Sequence, residues 1–96
     1  MIHTKNDKII VVDIELTCWE TPPPQGMSNE IIEIGICEID LKQKKISRHD
    51  SYFVKPEHSE ISEFCTQLTG ITENMVKNAP NLKDVCKTIS KKYSSN

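Results

Sequence analysis

Lys8-Ile9-Ile10-Val11-Val12-Asp13-Ile14-Glu15 decides the fold. Four consecutive β-prone apolar residues with no helical period describe a strand buried on both faces. The run ends on two acids. Side chains alternate across a strand, so Asp13 and Glu15 share one face and Ile14 takes the other. Two carboxylates at the tip of a buried strand are costly unless something positive meets them. No lysine or arginine lies between Lys8 and Lys42 to do so. A hard divalent cation with oxygen ligands has the right chemistry. The plainer alternative for so short a pattern is a pair of acids solvated at the strand's exit.

The neighbouring sequence extends the strand into a sheet. Thr21 to Asn29 carries Pro22-Pro23-Pro24 and Gly26, which is loop chemistry. Glu30 to Asp40 alternates Ile32, Ile34 and Ile36 on one face, a second strand. Leu41 to Lys45 is a polar hairpin connection. Ile46 to Val54 is a third, more polar strand that Pro56 ends. Helical signals follow. Ser62 is a candidate N-cap, and Gly70 stands where a left-handed C-terminal residue belongs. Thr72 caps a short second helix through Lys77. Asn81 caps a third, whose apolar face is Leu82, Val85, Cys86, Ile89 and Tyr93. Three antiparallel strands followed by helices place the chain in the α/β or α+β class. The first strand should be central, yet no further segment offers itself as its outer neighbour.

The 96 residues form one domain at most. A hydrophobic fraction of 36% and a charged fraction of 27% suit a globular chain and argue against disorder. No apolar run reaches the roughly 18 residues of a membrane span, and the N-terminus lacks a signal-peptide core. The expected location is cytoplasmic, with no membrane partner. Cys18, Cys37, Cys65 and Cys86 form no C-x-x-C pair, so free, mostly buried thiols are expected rather than a zinc site. Residues 1–40 hold 2 basic and 8 acidic side chains against 10 and 6 in residues 41–96. The acidic front can hold divalent cations, and the basic back can tolerate a polyanion.

Four stretches carry a resemblance. V-V-D-I-E-L-T-C-W-E, N-E-I-I-E-I-G, Y-F-V-K-P and F-C-T-Q-L-T-G-I-T together resemble the N-terminal half of the DEDD-type (DEDDh) 3′–5′ exonucleases. The branch is the one that trims histone mRNA and small RNAs. The likeness runs from about Ile9 to Tyr93. It implies a ribonuclease H-like fold with the first strand central. The implied reaction is metal-dependent hydrolysis of 3′-terminal phosphodiesters, of RNA in preference to DNA, to nucleoside 5′-monophosphates. The implied cofactor is Mg²⁺ or Mn²⁺ in a two-metal site. The implied partner is a nucleic acid 3′ end.

Site residues carry over one by one. Asp13 and Glu15 match the first two metal-binding carboxylates. Leu16 and Thr17 follow them, where they would meet the terminal sugar; local packing and a hydroxyl–backbone bond are the alternatives. Phe64 would stack on the terminal base, or pack in the core beside Leu68. Thr69 and Gly70 would bring backbone close to the substrate, although a helix stop explains Gly70 equally well. Glu33 is expected to support the site rather than ligate. Trp19 and Glu20 are rim residues. His3, His49 and His58 do not match the family's catalytic histidine.

The later motifs of that family, a third carboxylate and a histidine followed five residues on by an aspartate, are absent here. Asp84 is the only acidic residue after Glu73. The expectation is a single partial exonuclease domain over residues 1–96, marginally folded and inactive alone. Loss of a general base costs about 10²–10⁴-fold. The competing reading is a non-catalytic nucleic-acid-binding or partner-binding remnant of the fold, and a weaker one is a small metal-binding structural protein.

Overall fold

The computed structural model describes residues 2–5 and 7–93. Four strands form one antiparallel sheet in sequence order: β1 (Ile2–Lys5), β2 (Lys8–Leu16), β3 (Ile31–Asp40) and β4 (Lys45–Phe53). Three helices follow: α1 (Glu63–Thr69), α2 (Glu73–Val76) and α3 (Leu82–Lys92). The meander β2–β4 and the later helices are the elements that the periodicity predicts.

β1 is the addition. It pairs antiparallel with β2 from Ile2↔Val11 to Lys5↔Lys8, filling the first part of the outer edge that seemed to lack a partner. Four polar-leaning residues next to the N-terminus gave no strand period to read. Asp7, with φ of 64°, makes the tight reversal between them. The β3–β4 turn uses Lys44 at φ 54° and an aspartate cap: Asp40 Oδ1 accepts from the amides of Lys42 (2.9 Å) and Gln43 (3.0 Å).

The helices cover the sheet face that carries Ile32, Ile34 and Ile36, all buried. One cluster joins Ile32 to Cys65, Ile71 and Val76, with Cys18, Phe53 and Ile61 packed against it. A second joins Ile34 to Val54 and Val85, with Val12, Ile31, Tyr52 and Ile89 alongside. β2 is therefore not buried on both faces as its apolar run suggests. Ile9 to Val12 are half-buried, and Ile14 is 43% exposed. Among the described residues, helices lie over one face only, and they stop short of Ile14. The α3 stripe is likewise incomplete: Val85 is buried and Ile89 packs, while Leu82 and Cys86 stay exposed.

The helix ends follow the caps. Ser62 Oγ accepts from the Cys65 amide at 3.0 Å, and Asn81 Oδ1 from the Asp84 amide at 2.9 Å. The C-terminus of α3 is tied to β4. Asp50 accepts from Lys92 Nζ and from the Tyr93 hydroxyl, each at 2.7 Å. Arg48 lies 5.3 Å from the Tyr93 ring centroid and donates to the Lys92 carbonyl.

Candidate functional site

β2 puts Asp13 and Glu15 on the sheet face away from Ile34 and Ile36. In the ladder, Asp13 stands opposite Gly35 and Glu15 opposite Glu33. Gly35 leaves the space beside Asp13 free of a side chain; a Cβ there would approach the Asp13 carbonyl to an ordinary 3.8 Å. Asp13 is exposed and Glu15 half-buried. Among the described residues neither carboxylate makes a hydrogen bond or an ion pair. Lys8, the nearest cation along the strand, is used elsewhere, at 3.3 Å from Glu38 and 3.9 Å from Asp40. Glu33 accepts from Ser51 Oγ at 3.0 Å.

This donor set suits a hard cation in type but not in number. Two carboxylates on one strand face, about 6.5–7 Å apart along the backbone, offer oxygen ligands. No group of three or more His, Cys, Asp or Glu side chains comes together among the described residues. Asp13 and Glu15 fit part of a metal site.

The chain leaves β2 through a tightly bonded corner. Thr17 is 0% exposed. Its hydroxyl donates to the Ser28 carbonyl (3.2 Å) and accepts from the Glu30 amide (2.8 Å). Its carbonyl accepts from Asn29 Nδ2 at 2.6 Å, and its amide donates to the Glu30 carbonyl at 2.8 Å. The hydroxyl is thus engaged by backbone groups 11 and 13 residues away, not by the local bond that the sequence offered as the alternative. Leu16 is 37% exposed, and its carbonyl accepts from the Cys65 thiol at 3.6 Å.

That thiol brings the first turn of α1 to the end of β2. Ser62 Oγ also donates to the Cys18 carbonyl at 2.7 Å. Phe64, in the same turn, is half-buried, and Leu68 one turn later is 68% exposed. Thr69 is occupied with its own helix end: its hydroxyl donates to the Cys65 carbonyl (2.8 Å) and accepts from the Ile71 amide (3.1 Å). Gly70, at φ 81°, closes the helix with its amide on the Thr66 carbonyl. A Cβ on Gly70 would meet nothing within 4 Å, so dihedral freedom, not close packing, selects glycine there.

Glu30 is a residue that sequence reasoning passed over. Its carboxylate accepts from the amides of Glu57 and His58, both at 2.8 Å, and so fastens the segment after Pro56 to the start of β3. Burial alone would raise its pKa; the Glu57 amide, the Ser59 hydroxyl and the His58 amide together hold it below the usual value. The clue was its place in N-E-I-I-E, one residue before the strand. His49 and His58 are exposed, and the His58 ring lies 3.7 Å from the Glu57 carboxylate. His3 has its side chain outside the described residues.

Residues 10–95 match the family model described as Exonuclease (RNase_T). The chain belongs to this exonuclease family. Among relatives, 3'-5' exoribonuclease 1 of Homo sapiens is 34% identical over 84 residues, which span 86% of this chain and 24% of that protein. The 3'-5' exonuclease Snipper of Drosophila melanogaster is 38% identical over 77 residues, 78% of this chain and 27% of its own. This exonuclease chain thus spans about a quarter of the length of such relatives. A solved full-length 3'-exonuclease superposes with a TM-score of 0.82 at 32% identity, over 92% of this chain and 29% of that one. The nuclease domain of 3'hExo, a DEDDh family member bound to rAMP, gives 0.77 at 33% identity, over 94% and 47%. The ribonuclease H-like exonuclease fold follows. No helix among the described residues is long and apolar enough to cross a membrane.

Proposed function

We propose that this chain carries the first two metal-binding carboxylates of a 3′–5′ exonuclease. The enzyme would hydrolyse 3′-terminal phosphodiesters of RNA to nucleoside 5′-monophosphates. One observation carries the reading: Asp13 and Glu15 share an open sheet face without a protein partner, in a chain of the exonuclease family. The preference for RNA is supported by relatives named as exoribonucleases and by a solved neighbour described as recognising the histone mRNA stem-loop at its 3′ end.

In this reading Asp13 and Glu15 hold Mg²⁺ or Mn²⁺, which when bound polarises the phosphodiester and lowers the pKa of water. In the same reading the Leu16 backbone, next along the strand, meets the terminal sugar, and the half-buried Phe64, on the helix that Cys65 ties to Leu16, stacks on the terminal base. Thr17 acts at one remove, by fixing the corner from which Leu16 emerges. Thr69 and Gly70 hold the end of the helix that bears Phe64. Two carboxylates hold one hydrated cation weakly, and no general base stands beside them among the described residues. The 96 residues alone are therefore expected to bind metal without turnover.

The test has two readouts. Mn²⁺ titration, followed by the loss of the free-ion electron paramagnetic resonance signal, should reveal a weak site that Asp13→Asn with Glu15→Gln removes. A 5′-labelled single-stranded RNA should stay intact with the 96-residue chain in Mn²⁺. Release of 5′-mononucleotides would overturn the inactivity. Absence of any Mn²⁺ site sensitive to the double substitution would overturn the metal reading. Salt-sensitive RNA binding that survives that substitution would instead favour a non-catalytic binding module.

A further inference from the structure

Cys18 and Cys65 lie 47 positions apart in the sequence and meet in the fold. Cys18 packs against the core cluster that contains Cys65. One hydroxyl bridges their backbones: Ser62 Oγ donates to the Cys18 carbonyl at 2.7 Å and accepts from the Cys65 amide at 3.0 Å. Cys65 is 0% exposed, and Cys18 is half-buried. Cys37 and Cys86 take no part in this arrangement: Cys37 stands in β3 opposite Val11 and His49, and Cys86 is exposed on α3.

We propose that Cys18 and Cys65 form a reversible disulfide that clamps the end of the acid-bearing strand to the first turn of α1. The inference does not depend on the nuclease reading. The oxidant is a peroxide. The accessible Cys18 sulfur, as its thiolate, attacks one peroxide oxygen. The O–O bond breaks, hydroxide leaves and takes up a proton, and Cys18 becomes a sulfenic acid. The Cys65 sulfur then attacks the Cys18 sulfur. The S–O bond breaks, water leaves with the Cys65 proton, and the S–S bond forms. Two thiols lose two electrons in total, and one hydrogen peroxide becomes two waters.

The bond has a local consequence. The reduced Cys65 thiol donates to the Leu16 carbonyl, and a disulfide has no proton to give. Oxidation therefore strips the donor from a carbonyl one residue beyond Glu15. It also closes a long loop, from Cys18 to Cys65, which limits the unfolded chain. Burial, with Cys65 and Glu15 beside it, raises the Cys18 pKa, so thiolate is scarce near neutral pH and the link should form faster as pH rises.

The test uses the 96-residue chain treated with hydrogen peroxide, then N-ethylmaleimide, and digested without reduction. The expected result is a linked peptide pair containing Cys18 and Cys65, with Cys37 and Cys86 labelled. Thermal unfolding should shift upward on oxidation and return with dithiothreitol. A Cys37→Ser, Cys86→Ser chain should reproduce both effects, and Cys18→Ser should lose both. Labelling of Cys18 or Cys65 after peroxide, a linked pair using Cys37 or Cys86 instead, or a sulfinic acid at Cys18 without the link would each overturn the proposal. Because the parent chain is itself mapped, a variant that fails to fold leaves the result decided.

Discussion

Glu15 stands directly opposite Glu33 across the β2–β3 ladder. Two like charges in cross-strand register work against the sheet that holds them. The Glu33 carboxylate is steadied by the Ser51 hydroxyl, whereas that of Glu15 has no hydrogen bond among the described residues. An arrangement that costs stability at the tip of a strand suits a position kept for a cation.

Glu33→Gln should therefore stabilise the metal-free chain by about 0.2–1 kcal/mol, since the amide keeps an oxygen for Ser51 while removing the repulsion. Urea unfolding in a chelating buffer measures this. Added Mn²⁺ should narrow the difference by screening Glu15 in the parent chain. An equal or lower stability for the variant would show that the two carboxylates do not repel in the fold.

Thr17→Val keeps the shape of a fully buried side chain and removes its hydroxyl. The Glu30 amide loses its acceptor and the Ser28 carbonyl its donor. The expected loss is about 1–3 kcal/mol, read from the urea midpoint. A variant of unchanged stability would return Thr17 to the list of residues kept for a ligand.

Gly70→Ala forces a Cβ into left-handed backbone and should cost about 1–2 kcal/mol, although the space around it is open. Gly70→Asn should cost clearly less, since asparagine tolerates that region. Equal losses from the two substitutions would point to crowding, which the structure does not show.

Acid should loosen the molecule at two fasteners. Glu30 and Asp50 both have folded pKa values below their ordinary ones. Burial opposes the shift at Glu30, where the backbone amides and the Ser59 hydroxyl prevail; Lys92 and the Tyr93 hydroxyl lower Asp50. Groups lowered on folding contribute fully above the unfolded carboxylate pKa, near 4, and lose that contribution as pH falls through the folded value. Melting temperature should thus hold steady through weakly acidic pH and drop below about pH 4. Glu30→Gln should lower the plateau and flatten the drop.

Much of this was legible in the residues. The apolar run ending in Asp13 and Glu15, the alternating isoleucines of β3, and the caps Ser62, Gly70 and Asn81 act through local geometry, which the chain writes in order. What escaped reading depends on partners distant in sequence. β1 had no apolar period to announce it. The exposure of Ile14 depends on how far the helices reach across the sheet. Glu30 and the Cys18–Cys65 pair acquire meaning only when segments about thirty to fifty residues apart come together.

β1 pairs with β2 only as far as Val11, two positions before Asp13. From Asp13 to Glu15 the ladder continues on the β3 side alone among the described residues. In heavy water, amide protons there should exchange in alternation, the one turned toward β3 slowly and its neighbour fast. That sawtooth, read proton by proton, would vanish if another backbone came to lie along the bare flank.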